Sequence, residues 1–162
     1  MPIMSYEQYM VPETGKGKLA SYHDEHAETY CASEDILWGL AVQENAADPD
    51  KVDVYDGTAA DGFVGIALAN HFAGEYRVDD VSTDPITGTA YAAGQPVSVL
   101  RRGIVWIEVA EDVIKGKQAV IDNATGNFRQ KGSATSAVSD VVGVFKTSAQ
   151  SGNLAQVEIN LP

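Results

Sequence analysis

From Ile36 to the end, the chain is a succession of short apolar runs, each bounded by Gly, Pro, Asn or Asp. Such residues punctuate turns, and runs of this length between them read as strands. The pattern predicts strands at Ile36–Gln43, Lys51–Tyr55, Phe63–Ala69, Glu75–Val78, Pro96–Leu100, Ile104–Val109, Gln118–Ile121, Asn127–Gln130, Val141–Lys146 and Ala155–Leu161. Close spacing with no helical period between them predicts an all-β body, a compact barrel or sandwich. The faces differ from strand to strand. In QVEINL, Val157, Ile159 and Leu161 fall on one side while Gln156, Glu158 and Asn160 fall on the other, so one face is wet. In IVWIEV, Ile104 and Trp106 share one side while Val105, Ile107 and Val109 line the other, which predicts burial on both. AEDVIKG (Ala110–Gly116) is the best helical candidate, one turn at most. DPITG (Asp84–Gly88) and DNATG (Asp122–Gly126) read as tight turns.

A faint internal echo runs through the body. FVGIAL (Phe63–Leu68) resembles VVGVFK (Val141–Lys146), and each precedes a glycine and an alternating strand, GQPVSVL and GNLAQVEINL. Gly65 and Gly143 would then permit a bend or a close backbone approach.

The first 31 residues have another character. They are polar and aromatic, with Tyr6, Tyr9, Tyr22 and Tyr30, and hold no sustained period. ETGKGKLAS (Glu13–Ser21) carries two glycines and is expected to be extended or mobile. About 30 extended residues reach roughly 100 Å. The division expected is an extended N-terminal arm, 1–31, and a single β-rich body, 32–162. A segment that cannot bury its own apolar surface is ordered by a neighbour or not at all. Tyrosines favour the first outcome, because aromatic rings with a polar tip are enriched at interfaces.

Charge narrows the function classes. The formal charge is −12, from 23 acids against 11 cations. Affinity for nucleic acid comes largely from cations on phosphates, so no nucleic-acid partner is expected. No run of about 18 apolar residues is present, so no membrane-spanning helix is expected. The opening MPIMSYEQYM has neither the basic nor the apolar stretch of a secretory signal. Cys31 stands alone, which rules out an internal disulfide framework. A catalytic thiolate needs a base and a positive field, whereas Glu28, Glu34 and Asp35 lie close by in sequence.

Candidate chemistry is sparse. HDEH (His23–His26), with Glu28 and Cys31 after it, is the one cluster resembling metal ligands, but a structural zinc site wants four convergent ligands and His71 stands apart. No metal or other cofactor is expected. DPDKVDVYDG (Asp48–Gly57) lacks the spacing of a calcium loop and reads as a loop followed by an edge strand. The chain has no G-x-S-x-G, phosphate loop or dinucleotide fingerprint. Arg101-Arg102 is expected at a hairpin tip, an isolated positive spot that could dock an acidic partner.

The order of W-G-L-A-V, D-G-F-V-G-I-A, G-Q-P-V-S-V-L-R-R-G, V-I-K-G-K-Q-A-V-I-D, T-G-N-F, V-V-G-V-F and Q-V-E-I-N-L resembles the structural cement proteins of tailed bacteriophages, over about three-quarters of the chain. The resemblance implies a β-tulip-like or jelly-roll-like capsid decoration protein on the virion exterior, made in the bacterial host cytoplasm. Its partner would be assembled major capsid protein, bound as a homotrimer and without enzymatic activity. The resemblance carries over no individual contact residue; on their own chemistry, Tyr6, Tyr9, Tyr22, Tyr30, Arg101, Arg102 and Trp106 are the residues expected at an interface. Two other classes stay open on the residues alone: a carbohydrate- or receptor-binding domain of a phage fibre or spike, and a β-barrel hydrolase using paired carboxylates.

Overall fold

The computed structural model of the protein describes residues 14–58, 62–69, 90–132 and 137–162. Among the described residues there are eleven strands and no helix. They are β1 (Leu19–Ala32), β2 (Ile36–Leu37), β3 (Ala41–Asn45), β4 (Asp48–Val54), β5 (Phe63–Ala67), β6 (Ala90–Tyr91), β7 (Pro96–Glu108), β8 (Gln118–Ile121), β9 (Phe128–Gln130), β10 (Gly143–Phe145) and β11 (Leu154–Asn160). The all-β expectation holds.

Nine strands form one sheet in the order β1-β4-β3-β5-β7-β11-β10-β8-β9, and β1 also pairs with β7. That extra pairing closes β1, β4, β3, β5 and β7 into a ring, which removes open edges there. The other strands continue from the second half of β7, and a parallel bridge from Val109 to Phe128 brings β9 back to its end. β7 is therefore common to both halves. On one side it carries β1 along most of its length; on the other it pairs first with β5, at Val99 and Leu100, and then with β11 from Arg102 to Glu108.

Two apolar clusters fill the fold. One gathers Val42, Val52, Val64, Tyr91, Val97 and Val99; the other gathers Ile66, Leu100, Val105, Ile107, Phe128, Phe145, Val157 and Ile159. Val99 and Leu100 are neighbours in sequence yet serve different clusters, as alternation along a strand buried on both faces requires. The second cluster is extended by edge-to-face ring contacts from Phe63 to Tyr55 and to Phe128. β2 and β6 make a separate two-stranded pair. There the fully buried Tyr91 hydroxyl donates to the Leu68 carbonyl at 2.6 Å, and burial pushes the phenol's pKa up.

Several expectations need correcting. Arg101-Arg102-Gly103 reads as a turn but lies within one continuous 13-residue strand, β7. Neighbours on both sides hold the chain extended there, and Gly103 absorbs the local distortion with φ +139°. Ile36–Gln43 divides into β2 and β3 at Gly39, whose φ of +77° turns the chain. β4 starts at Asp48, where a loop is expected, and it lies between β3 and β1 instead of at an edge. AEDVIKG forms no helical turn: Val113 instead bridges to Ala149 in an antiparallel contact. Residues 19–31 fall in the stretch expected as an arm, yet they run in β1 against β7. The Glu75–Val78 strand, the DPITG turn, Tyr6, Tyr9 and His71 lie outside the described residues.

The V-G echo has a physical basis. Gly65 in β5 lies against the backbone of Leu100 in β7, and Gly143 in β10 lies against the backbone of Glu158 in β11. A Cβ at either position would collide with a carbonyl oxygen of the partner strand. We expect Gly65→Ala to destabilise the protein by about 1–3 kcal/mol through forced separation of β5 and β7. Urea denaturation checks this, and an unchanged midpoint would contradict it.

Candidate functional site

β1 and β7 pair regularly from Cys31↔Pro96 to Ala27↔Leu100, and the register then breaks. Between His26↔Arg102 and Ser21↔Ile104, the residues Tyr22, His23, Asp24 and Glu25 stand opposite Gly103 alone. The extra chain bulges outward, as surplus residues on one strand must. Asp24 sits at its turn with φ +59°, the one positive value outside glycine among the described residues. Asp tolerates this region better than most side chains. Arg102 secures the bulge: Nη2 donates to Asp24 Oδ1 at 2.7 Å and Nε donates to the Asp24 carbonyl at 3.4 Å.

Arg101 reaches β1 at a second point. Its Nη1 donates to Glu28 Oε2 at 3.1 Å and to the Tyr30 hydroxyl at 3.3 Å, while Tyr30 donates to the same Glu28 oxygen at 2.8 Å. Nη2 donates to the Pro162 carbonyl at 3.1 Å, and the Arg101 carbonyl accepts from Leu161 N–H. One guanidinium thus ties β1, β7 and the chain end together. The Tyr30 hydroxyl, assisted by Arg101 and His26, holds the Glu28 carboxyl below the usual carboxylate range. Burial, and then the bond to Glu28, pushes Tyr30 up.

The expected contact residues consequently have unlike settings. Arg101, Arg102 and Tyr30 are engaged within the chain. Trp106 is half-buried on the side of β7 away from Val105 and Ile107, and its backbone pairs with Gly17 and Lys18. The two-sided burial expected of that strand is full on the Val105, Ile107 and Val109 side and partial at Ile104 and Trp106. Tyr22 is 61% exposed and projects from the bulge.

An open cleft of about 210 Å³ lies between the bulge at His23 and Asp24, the Arg102–Ile104 stretch of β7 and the Glu158–Asn160 stretch of β11. Its strongest polar pair, Arg102 with Asp24, is already mutually satisfied. Among the described residues no three His, Cys, Asp or Glu side chains converge as metal ligands. His23 and His26 do not act together: His26 Nε2 lies 3.4 Å from Glu28 Oε1, while His23 lines the cleft. Cys31 is half-buried beside the Ala32 carbonyl.

Sequence reasoning missed two charged features. Asp122 is almost fully buried; it accepts from Arg129 Nε at 2.7 Å and caps the DNATG turn through Ala124 N–H. Lys115, Lys117 and Lys131 make no ion pair among the described residues, whereas Lys16, Lys51, Arg101, Arg102, Arg129 and Lys146 all do. Only the fold, which brings distant turns together, reveals either one.

Arg101→Met keeps the aliphatic stem but removes the tie, and is expected to lower stability by about 1–2 kcal/mol. This figure is kept small because the Glu28 side chain is 41% exposed. The lowered Glu28 pKa also fixes a sign: its stabilisation is present at neutral pH and is lost as pH falls through that pKa. Glu28→Gln should therefore melt below wild type at pH 7, with the gap closing on acidification. A gap that widens toward acid would contradict this.

Comparison with known proteins follows the same lines. A family model described as "Structural cement protein (E217 gp24/Pam3 gp6)" matches residues 4–160. A search of curated proteins finds no significant match. Among solved structures, a chain of "The capsid of Myoviridae Phage XM1" aligns with TM-score 0.69 and 17% identity, over 93% of this chain and 92% of that one, which shows a shared fold. A chain of "The crystal structure of head fiber gp8.5 N base in bacteriophage phi29" aligns at TM-score 0.49 and 14% identity, over 84% of this chain and 94% of that one, too distant to bear on fold or function. With residues 4–160 matched by one family model, the protein belongs to the phage structural cement proteins, and its role is a structural one in the virion.

Proposed function

We propose that the protein binds the outer face of an assembled phage shell as a homotrimer and holds neighbouring major capsid protein subunits together against the pressure of packaged DNA. The observation that carries this reading is the family match over residues 4–160 of a body whose two cores share one strand. A clamp must transmit load without yielding, and close-packed interiors are stiff. Contacts spread over several shell subunits act at high effective concentration once the first has formed. Such contacts exist together only on the assembled lattice, so free shell subunits bind weakly. The net charge of −12 suits a part facing outward, away from DNA.

The segment 1–13 precedes the first described residues, and if extended it reaches about 45 Å. We assign it the role of an arm lying over neighbouring subunits. In this reading residues 19–32, which form β1 and pair with β7, count with the body.

Sedimentation with intact heads and with dissociated shell protein tests the reading. Saturable binding to heads and little to free subunits is expected; equal binding to both, or a monomer that instead captures glycans on an array, would contradict it. Removing residues 1–13 should weaken attachment while leaving the far-ultraviolet circular dichroism unchanged. Full attachment by the shortened chain would rule out the arm.

A further inference from the structure

Three turns meet at one end of the β8–β9 hairpin. Ile114 N–H donates to Gln130 Oε1 at 3.1 Å, Lys131 N–H donates to the Gln118 carbonyl at 2.9 Å, and Lys115 N–H donates to Ser148 Oγ at 2.9 Å. This places Lys115, Lys117 and Lys131, all exposed, around Ile114, whose side chain is 55% exposed. The apolar spot extends onto the sheet. Val144 is opposite Gln118 in the β10–β8 pairing and opposite Glu158 in the β10–β11 pairing, so the three share one outer face. Val144 is 38% exposed there. An apolar spot ringed by lysines that make no ion pair among the described residues stands out on a chain with 23 acids and 11 cations.

The complement lies on the same chain. Between Glu34 and Asp56 there are seven acids (Glu34, Asp35, Glu44, Asp48, Asp50, Asp53 and Asp56) and one cation, Lys51. Glu44, Asp48, Asp50 and Asp53 lie on the β3–β4 hairpin, whose tip exposes Ala46, Ala47 and Pro49, while Glu34 and Asp56 stand by its other end. The two features do not meet within one copy. β3–β4 touches the Asp122–Gly126 turn at its Ala41 and Val54 end, so its tip lies at the other end of those strands. β8–β9 carries the same turn at its Ile121 and Phe128 end, so the lysines lie at the end remote from it.

From this charge complementarity we infer that the lysine-ringed tip of one copy docks on the acidic β3–β4 hairpin of a second copy. The two patches differ, so the contact is head-to-tail and leaves each copy one tip and one hairpin to close a ring. At physiological salt, charges interact over about 8 Å, so these local patches govern the contact more than the net charge does. Ile114 supplies the dehydrated centre and the lysines the rim, which sets orientation. The inference rests on the self-association proposed above and is independent of shell binding.

Charge reversal in the full-length chain tests it by sedimentation velocity without shells. Lys115→Glu/Lys117→Glu/Lys131→Glu and Glu44→Lys/Asp50→Lys should each weaken self-association by at least about 10-fold. The two variants move the net charge in opposite directions, so a shared loss cannot come from overall repulsion. Mixed together they should pair across variants, because each reversed patch meets a complementary one on the other, whereas an odd-membered ring keeps one repelling contact and closes less well than wild type. The substituted side chains are on the surface, and unchanged circular dichroism confirms folding. A wild-type monomer at all concentrations, reversed variants that keep the wild-type assembly, or a mixture that stays monomeric would each overturn the inference. None of these outcomes bears on attachment to heads, which is measured separately.

Discussion

The structure depends on the burial of β7 from both sides. Thirteen residues carry Val97 and Val99 into one cluster and Leu100, Val105 and Ile107 into the other, while hydrogen bonds run to β1, β5 and β11. Moving the strand by a single residue would exchange the clusters of Val97, Val99 and Leu100 and would turn Val105 and Ile107 toward the half-buried side of Ile104 and Trp106. Register is thereby fixed for both halves at once. The close approaches at Gly65 and Gly143 repeat the device, letting β5 and β10 lie tight against the strands beside them. Two close-packed clusters that share one strand as a wall make a stiff body, which suits a structural role in the virion.

The charged residues arrange themselves around that wall. Arg101 and Arg102 sit at the middle of β7, where the β1 pairing is interrupted by the Tyr22–Glu25 bulge. Each bonds a carboxylate of β1, Arg101 at Glu28 beside the break and Arg102 at Asp24 within it. Arg101 and Arg102, expected at a partner contact, each also make an ion pair within the chain. Among the described residues, the lysines at the far end of β8–β9 make no ion pair, and acids are concentrated around β3–β4. The surface of the described residues is thus polarised.

Much of the fold was legible from alternation. β8, β9 and β11 stand within a residue of where the apolar pattern puts them, and Gln156, Glu158 and Asn160 do face outward as their polarity requires. Two features were hidden, for different physical reasons. Arg-Arg-Gly has the local chemistry of a turn, and only long-range pairing to β1 and β11 keeps it extended. β1 is polar because Tyr22 to Ala27 are exposed, so nothing in its pattern marks it as a strand. Its order comes from β7, some 70 residues away in sequence. The family resemblance reached the role in the virion; the contact surface could not be reached that way, because pairing among charges appears only in three dimensions.

Native-state hydrogen exchange tests the shared wall most directly. If β7 makes one cooperative body of the two clusters, the slowest amides of β3 and β5 and those of β10 and β11 exchange through the same global opening. Their opening free energies then converge as denaturant is added. Amides of β10 and β11 that open at markedly lower free energy, while β3 and β5 stay protected, would show two independent units and contradict the account.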